Sequence, residues 1–177
     1  MRKRNNQNAF TLVELLVVIG IIGLLAAMAT VAVKIAQQKA RMAKAQSDID
    51  EIYKAISAMA NDTNTWPGHQ TIGQVNSGSG NEICADGCAF GLSESQAGIV
   101  ATNGSYSGWN GPYMHQIPTD PWGNEYFFDT DYQVTVDGEP CNGGVGCINV
   151  VVVGSYGPDG IGNEQYNGDD IIKIVAK

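Results

Sequence analysis

With 177 residues, 44% of them hydrophobic and only 16% charged, the chain has room for one globular domain beyond any anchor. Its formal charge is -8 and lopsided: Lys and Arg occur at positions 2–4, 34–54 and 173–177, and none lies between Ala55 and Ile172, where fourteen Asp and Glu stand. Such a surface repels phosphates, so nucleic acid is excluded as an expected partner; metal cations, basic proteins or mere solubility fit it better.

The first element is Phe10–Val33, which carries one charge, Glu14. Leu15–Val33 is uncharged and long enough for a helix to cross about 30 Å of hydrocarbon. Arg2, Lys3 and Arg4 keep the N-terminus cytoplasmic and send the remainder outside. A carboxylate in such a segment costs about 2.5–3.5 kcal/mol at the helix centre and less near an end, so Glu14 wants a partner. Two simpler readings compete: a secretory signal cut at Ala27-Met28-Ala29, and a plain membrane anchor. Glu14 inside the apolar run, and a helical pattern that continues past Ala29, oppose the first.

A basic leader followed by Phe-Thr-Leu-Val-Glu and an apolar run resembles the type IV pilin and type II secretion pseudopilin class. The resemblance implies that a prepilin peptidase cuts between Ala9 and Phe10, methylates the new amine and leaves the helix in place. Glu14 then matches the family glutamate that pairs with the free amine of a neighbouring subunit. Two charges that are expensive alone become tolerable together, and their pairing sets the stagger between copies. The chain departs from the family in having Ala9 where Gly is usual before the cut, and Val31 where many members have proline. The organisation this implies is a leader (1–9), a transmembrane and polymerisation half-helix (10–33), an amphipathic half-helix (34–62) and a periplasmic head (63–177).

Beyond Val33 the apolar residues Ile35, Met42, Ala45, Ile49, Ile52, Ile56 and Met59 recur at spacings of three, four or seven, the stripe of an amphipathic helix. Its polar face passes from basic (Lys34, Lys39, Arg41, Lys44) to acidic (Asp48, Asp50, Glu51). One helix from about Thr11 to Ala60 is predicted, about 75 Å long at 1.5 Å per residue. Trp66-Pro67-Gly68 opens an irregular region, Thr71–Ala89 reads as a surface loop, and Ser93 is placed to cap a short helix through Ala101. Tyr106, Trp109 and Tyr113 are expected to cover an edge of the core.

Cys84, Cys88, Cys141 and Cys147 fall in the part expected outside the cytoplasm, where an even count reads as two disulfides. Three connectivities exist; the local pairs Cys84–Cys88 and Cys141–Cys147 are favoured because each closes a small Gly-containing loop. Four thiols also suit zinc, although neither half has Cys-x2-Cys spacing. Glu125–Asp129 and Tyr132–Asp137 are expected to form a hairpin, Ile148–Gly154 with its four valines a strand buried on both faces, and Ile171–Val175 a last strand. The predicted fold is α+β: a long N-terminal helix packed on a small antiparallel sheet.

Ile117-Pro118-Thr119-Asp120-Pro121-Trp122-Gly123-Asn124-Glu125-Tyr126 resembles the Pro-x-Asp-Pro-Trp-Gly-x-x-Tyr stretch of the major pseudopilin of type II secretion, and is assigned a folding role. Residues 155–171, from Ser155-Tyr156-Gly157-Pro158-Asp159-Gly160 to Asp169-Asp170-Ile171, resemble that family's calcium-binding loop. By that resemblance Asp159, Asp170 and the carbonyl of Tyr156 are ligands, with Asp169 and the carbonyl of Ile161 as additions. Calcium takes six to eight oxygens, which carboxylates and carbonyls supply. The spacing is not that of an EF-hand, since the sixth position from Asp159 is Glu164 and the twelfth is Asp170.

An enzyme finds no footing. His69 and His115 read as loop residues, and no phosphate loop, His-Glu-x-x-His or Gly-x-Ser-x-Gly is present. The resemblance implies a subunit of a helical homo-oligomeric filament, the periplasmic pseudopilus. It is stored in the bacterial inner membrane and assembled by an inner-membrane platform with minor pseudopilins. The alternatives are a surface type IV pilus subunit and a monomeric, membrane-tethered calcium-binding module.

Overall fold

The computed structural model describes residues 10–75, 82–84, 88–141, 146–161 and 168–177. Ala9 with the rest of the leader, the Ser/Gly/Asn run 76–81 and residues 162–167 lie outside them. Helix α1 runs Leu12–Thr63, close to the extent its periodicity predicts, and the chain divides within it into two compact units between Ala40 and Arg41. In the first unit every described residue is exposed. The helix there is long and apolar enough to cross a membrane.

In the second unit α1 buries one face. Ala45, Asp48, Ile49, Ile52, Ala55, Ile56, Met59, Ala60 and Thr63 turn inward, at the three- and four-residue spacing of a helix stripe. The stripe starts later than its sequence pattern indicates, because Ile35 and Met42 are exposed. The helix ends where Asn64 takes a left-handed conformation (φ 57°) and its N–H bonds the carbonyl of Ala60 at 2.9 Å. A miniature hairpin follows: β1 (Thr65–Trp66) and β2 (Gln70–Thr71) joined through Pro67–His69. The irregular region is therefore ordered here.

Strands β3 (Phe127–Thr135), β4 (Cys147–Ser155) and β5 (Ile171–Ala176) form an antiparallel sheet in the order β3-β4-β5. The two runs expected as a hairpin are one strand, β3, and Thr130-Asp131 between them is a bulge, not a turn. The extra residue reverses the alternation. Phe128 faces the helix-side core while Tyr132 and Val134, also even-numbered, face the opposite side with Phe127. The four valines of β4 split as the pleat requires: Val151 and Val153 join the helix-side cluster, Val150 and Val152 the other.

Ile83 is not a surface-loop residue. It is buried and exchanges both backbone hydrogen bonds with Phe128 at the outer edge of β3 (2.8 and 3.0 Å). Cys84 pairs with Cys88 and Cys141 with Cys147, so the four sulfurs are used in local disulfides and form no zinc site. No helix forms over 93–101. Gly98 has φ +80° and lies against Tyr106 and Met59, and the carbonyls that a helix would use go elsewhere. That of Gln96 accepts from the Tyr106 hydroxyl (2.6 Å), Gly98 from Trp109 Nε1 (2.7 Å) and Ile99 from the Tyr113 amide (2.9 Å). The three aromatic residues line the edge of the core, as their sequence context suggests.

The bulge buries an acid. Asp129 is 2% exposed and its Oδ1 accepts the Asp131 N–H at 2.8 Å. Burial, with the neighbouring carboxylates of Asp131 and Glu82, pushes its pKa up to about 8. A carboxyl whose folded pKa is raised favours the folded state while protonated, so its contribution is lost as pH rises through about 8. Exposed Asp50 is shifted down by its hydrogen bond and ion pair with Lys173, and its contribution is lost only in acid, below the usual carboxylate range. Of these two groups, Asp129 is the one that acts between pH 5 and 8. Asp129→Asn should remove a large part of the fall in melting temperature that the wild-type chain shows between pH 5 and pH 8 in thermal denaturation.

Candidate functional site

Two places hold the residues to which the sequence assigns a role, one in each unit. At the start of α1, Phe10 is exposed and Ala9 lies outside the described residues. Thr11 and Glu14 close a capping box. The Thr11 amide and hydroxyl both donate to Glu14 Oε2 (2.9 and 2.7 Å), and the Glu14 amide donates back to Thr11 Oγ1 (3.2 Å). Two otherwise unmatched N–H groups of the first turn are thereby satisfied. Glu14 thus has a partner within its own chain, and Oε1 makes no hydrogen bond among the described residues. The Thr-x-x-Glu signal before an apolar run was there to be found.

The second place is built on the end of β4 and the start of β5. Tyr156 follows β4 directly; its ring stacks on Phe127 (centroids 4.2 Å apart, planes 8° apart), which fixes the chain as it leaves the sheet. Gly157 then turns left-handed (φ +66°), and a Cβ on it would lie 2.2 Å from the carbonyl oxygen of Asp169. Only glycine lets the two ends of the 155–171 segment meet this closely. Asp159 Oδ1 accepts the Ile161 N–H (2.8 Å), a local turn that fixes one carboxylate oxygen. At the other end Asp170 is buried and its Oδ2 accepts the Tyr132 hydroxyl at 2.5 Å. Burial, and then Asp170, push the Tyr132 pKa far up, so that phenol stays a donor.

The structure therefore brings Gly157 against Asp169 and Asp170, stacks Tyr156 on Phe127, and leaves Asp159 and Ile161 exposed on the turn that follows. No three acidic, His or Cys side chains come together as a metal cluster among the described residues. The donor types are hard oxygens, carboxylates and carbonyls, and suit calcium rather than a soft metal.

Sequence reasoning missed what holds the segment from beneath. The Asp120-Pro121-Trp122-Gly123-Asn124 turn, assigned only a folding role, is hydrogen-bonded to it: Ser155 Oγ donates to Asp120 Oδ2 (2.6 Å) and Asn124 Nδ2 to the Gly157 carbonyl (3.2 Å). Asp48 was also missed. It belongs by pattern to the polar face of α1, yet it is 3% exposed, bonded by the Tyr126 hydroxyl (3.0 Å) and paired with Lys44.

Against known proteins, residues 4–30 match the prokaryotic N-terminal methylation motif, and residues 93–173 match type II secretion system protein G. A type II secretion system core protein G from Aeromonas hydrophila is 32% identical over 71% of this chain and 74% of its own length. That of Escherichia coli K12 is 31% identical over the same shares, and that of Vibrio cholerae 29% identical over 90% of this chain and 88% of its own. The chain belongs to the core protein G family. Core protein G is a structural pseudopilin, not an enzyme. The protein G match takes in the 117–126 turn, β3, β4, the loop and the first half of β5, while the methylation match takes in Ala9, Phe10 and Glu14. Cys84 and Cys88 lie outside both.

Gly157→Ala is expected to cost about 1–3 kcal/mol, since it adds backbone strain to a clash with the Asp169 carbonyl. Gly73→Ala is the control, with similar φ (+75°) and nothing within 4 Å. Denaturant midpoints of the two variants should differ, with the Gly157 variant the less stable.

Proposed function

We propose that this chain is the structural subunit of a type II secretion pseudopilus, held in the inner membrane by residues 10–33 and trimmed by prepilin peptidase between Ala9 and Phe10. The observation that carries this reading is the exposed run of α1. Every residue from Phe10 to Lys44 faces outward, and fully covering a Val, Leu or Ile side chain is worth about 1.5–3 kcal/mol. Lipid covers these side chains in the stored subunit, and equivalent helices cover them in a filament of many copies that runs through the periplasm. Trimming creates an amine at Phe10, and Glu14 Oε1 is available to pair with the amine of the next copy. An assembly platform in the inner membrane and minor pseudopilins act on the growing end.

Calcium belongs to the same reading. Asp159, Asp169, Asp170 and the carbonyls of Tyr156 and Ile161 would hold it, and the bound ion would supply a positive charge that rigidifies the acidic end of the sheet.

Glu14→Gln keeps an acceptor for the Thr11 capping bonds and removes the charge, whereas Glu14→Ala removes both. Both variants should be trimmed at Phe10, as mass spectrometry of the N-terminus will show, and neither should yield filaments by electron microscopy. Filaments from the Gln variant would show that Glu14 only caps its own helix. Chelation of calcium from the purified chain should lower the melting temperature, by about RT ln(1 + [Ca]/Kd) expressed as stability. An unchanged melting temperature would sink the calcium assignment.

A further inference from the structure

The turn beneath the loop holds a buried carboxylate with no cation near it. Asp120 is 4% exposed, and no Lys, Arg or His forms an ion pair with it among the described residues. Hydrogen bonds alone satisfy it. Oδ1 accepts the Trp122 and Asn124 amides (3.0 and 2.8 Å), and Oδ2 accepts Ser155 Oγ (2.6 Å) and, weakly, Asn124 Nδ2 (3.5 Å).

These bonds continue into the loop. Ser155 Oγ, committed as a donor to Asp120, accepts the Gly157 N–H at 3.1 Å. Asn124 Nδ2 donates to the Gly157 carbonyl at 3.2 Å. Both polar groups of Gly157 are thus held by one turn, the amide through Ser155 and the carbonyl through Asn124. Asn124 also sits under Gly160, where an added Cβ would lie 3.0 Å from its Oδ1. The path from Tyr156 to Ile161 is therefore moulded on residues 120–124, and that path carries Asp159 and both carbonyl donors assigned above.

We propose that Asp120 and Asn124 are positioning residues for calcium, acting through Ser155 and Gly157 without touching the ion. They keep the first half of the loop in its binding shape before calcium arrives, so that little ordering is left for the ion to drive. The inference rests on the calcium reading of the loop. Groups that orient metal ligands from outside the ligand set typically change affinity by about 10- to 100-fold when removed.

The test is calorimetric titration of the full chain in detergent micelles with calcium chloride, comparing wild type, Asn124→Ala and Ser155→Ala. Each variant should bind calcium at least about tenfold more weakly. In calcium-free protein, Ser155→Ala should also speed hydrogen exchange at the Gly157 amide, a local signature that general destabilisation does not produce selectively. Wild-type affinity in both variants would overturn this inference and leave the calcium reading standing. Failure of the wild-type chain to bind calcium would overturn both. Ser155→Ala carries the comparison if Asn124→Ala does not fold, as its calcium-free melting temperature will show.

Discussion

From Phe10 to Val33 the chain presents apolar side chains in every direction around a helix, and its own fold covers none of them. Water is the one surrounding in which that surface is unstable, so the segment requires an apolar covering that its own fold does not supply. The single acid allowed there sits at the helix start, where unmatched N–H groups make a carboxylate tolerable. Placement and chemistry agree: the charge lies at the end of the apolar run, where it disturbs least.

The head faces a different constraint. It has no Lys or Arg between Ala55 and Ile172, so few cations stand near its buried acids. Four of them are met by hydrogen-bond donors. Tyr126 serves Asp48, Tyr132 serves Asp170, backbone amides and Ser155 serve Asp120, and the Asp131 amide serves Asp129. Asp48 also gains a cation, from Lys44 one turn back on the helix. The two tyrosines come from opposite faces of the chain, so acid–phenol bonds tie the sheet region both to α1 and to the start of β5.

Local pattern made much of this legible. The extent of α1, the two-sided burial of Val150–Val153, the last strand and the edge role of Tyr106, Trp109 and Tyr113 follow from periodicity and composition. What failed depended on distant partners. Asp48 and Tyr126 are 78 positions apart, and Asp120 and Ser155 are 35 apart, so nothing near either acid reveals that it is buried. The segment 93–101 has helical residues, yet its carbonyls are taken by aromatic residues further along the chain. Thr130-Asp131 has turn chemistry and lies within one strand because Ile148–Val153 pairs with both sides of it. The candidate loop was visible as a motif, whereas its support from Asp120 and Asn124 was not.

Strand β5 is the last of the three sheet strands in chain order, and it completes both sides of the sheet. Ile171 enters the helix-side cluster, Ile172 and Ile174 pack on the other, and Lys173 reaches Asp50 across 123 positions while lying 4.5 Å over the Tyr53 ring. The core around the sheet is therefore complete only when residues 171–176 are in place. Contacts of such long range form late. Until β5 pairs with β4 the sheet has an open edge and both of its faces lack part of their cover.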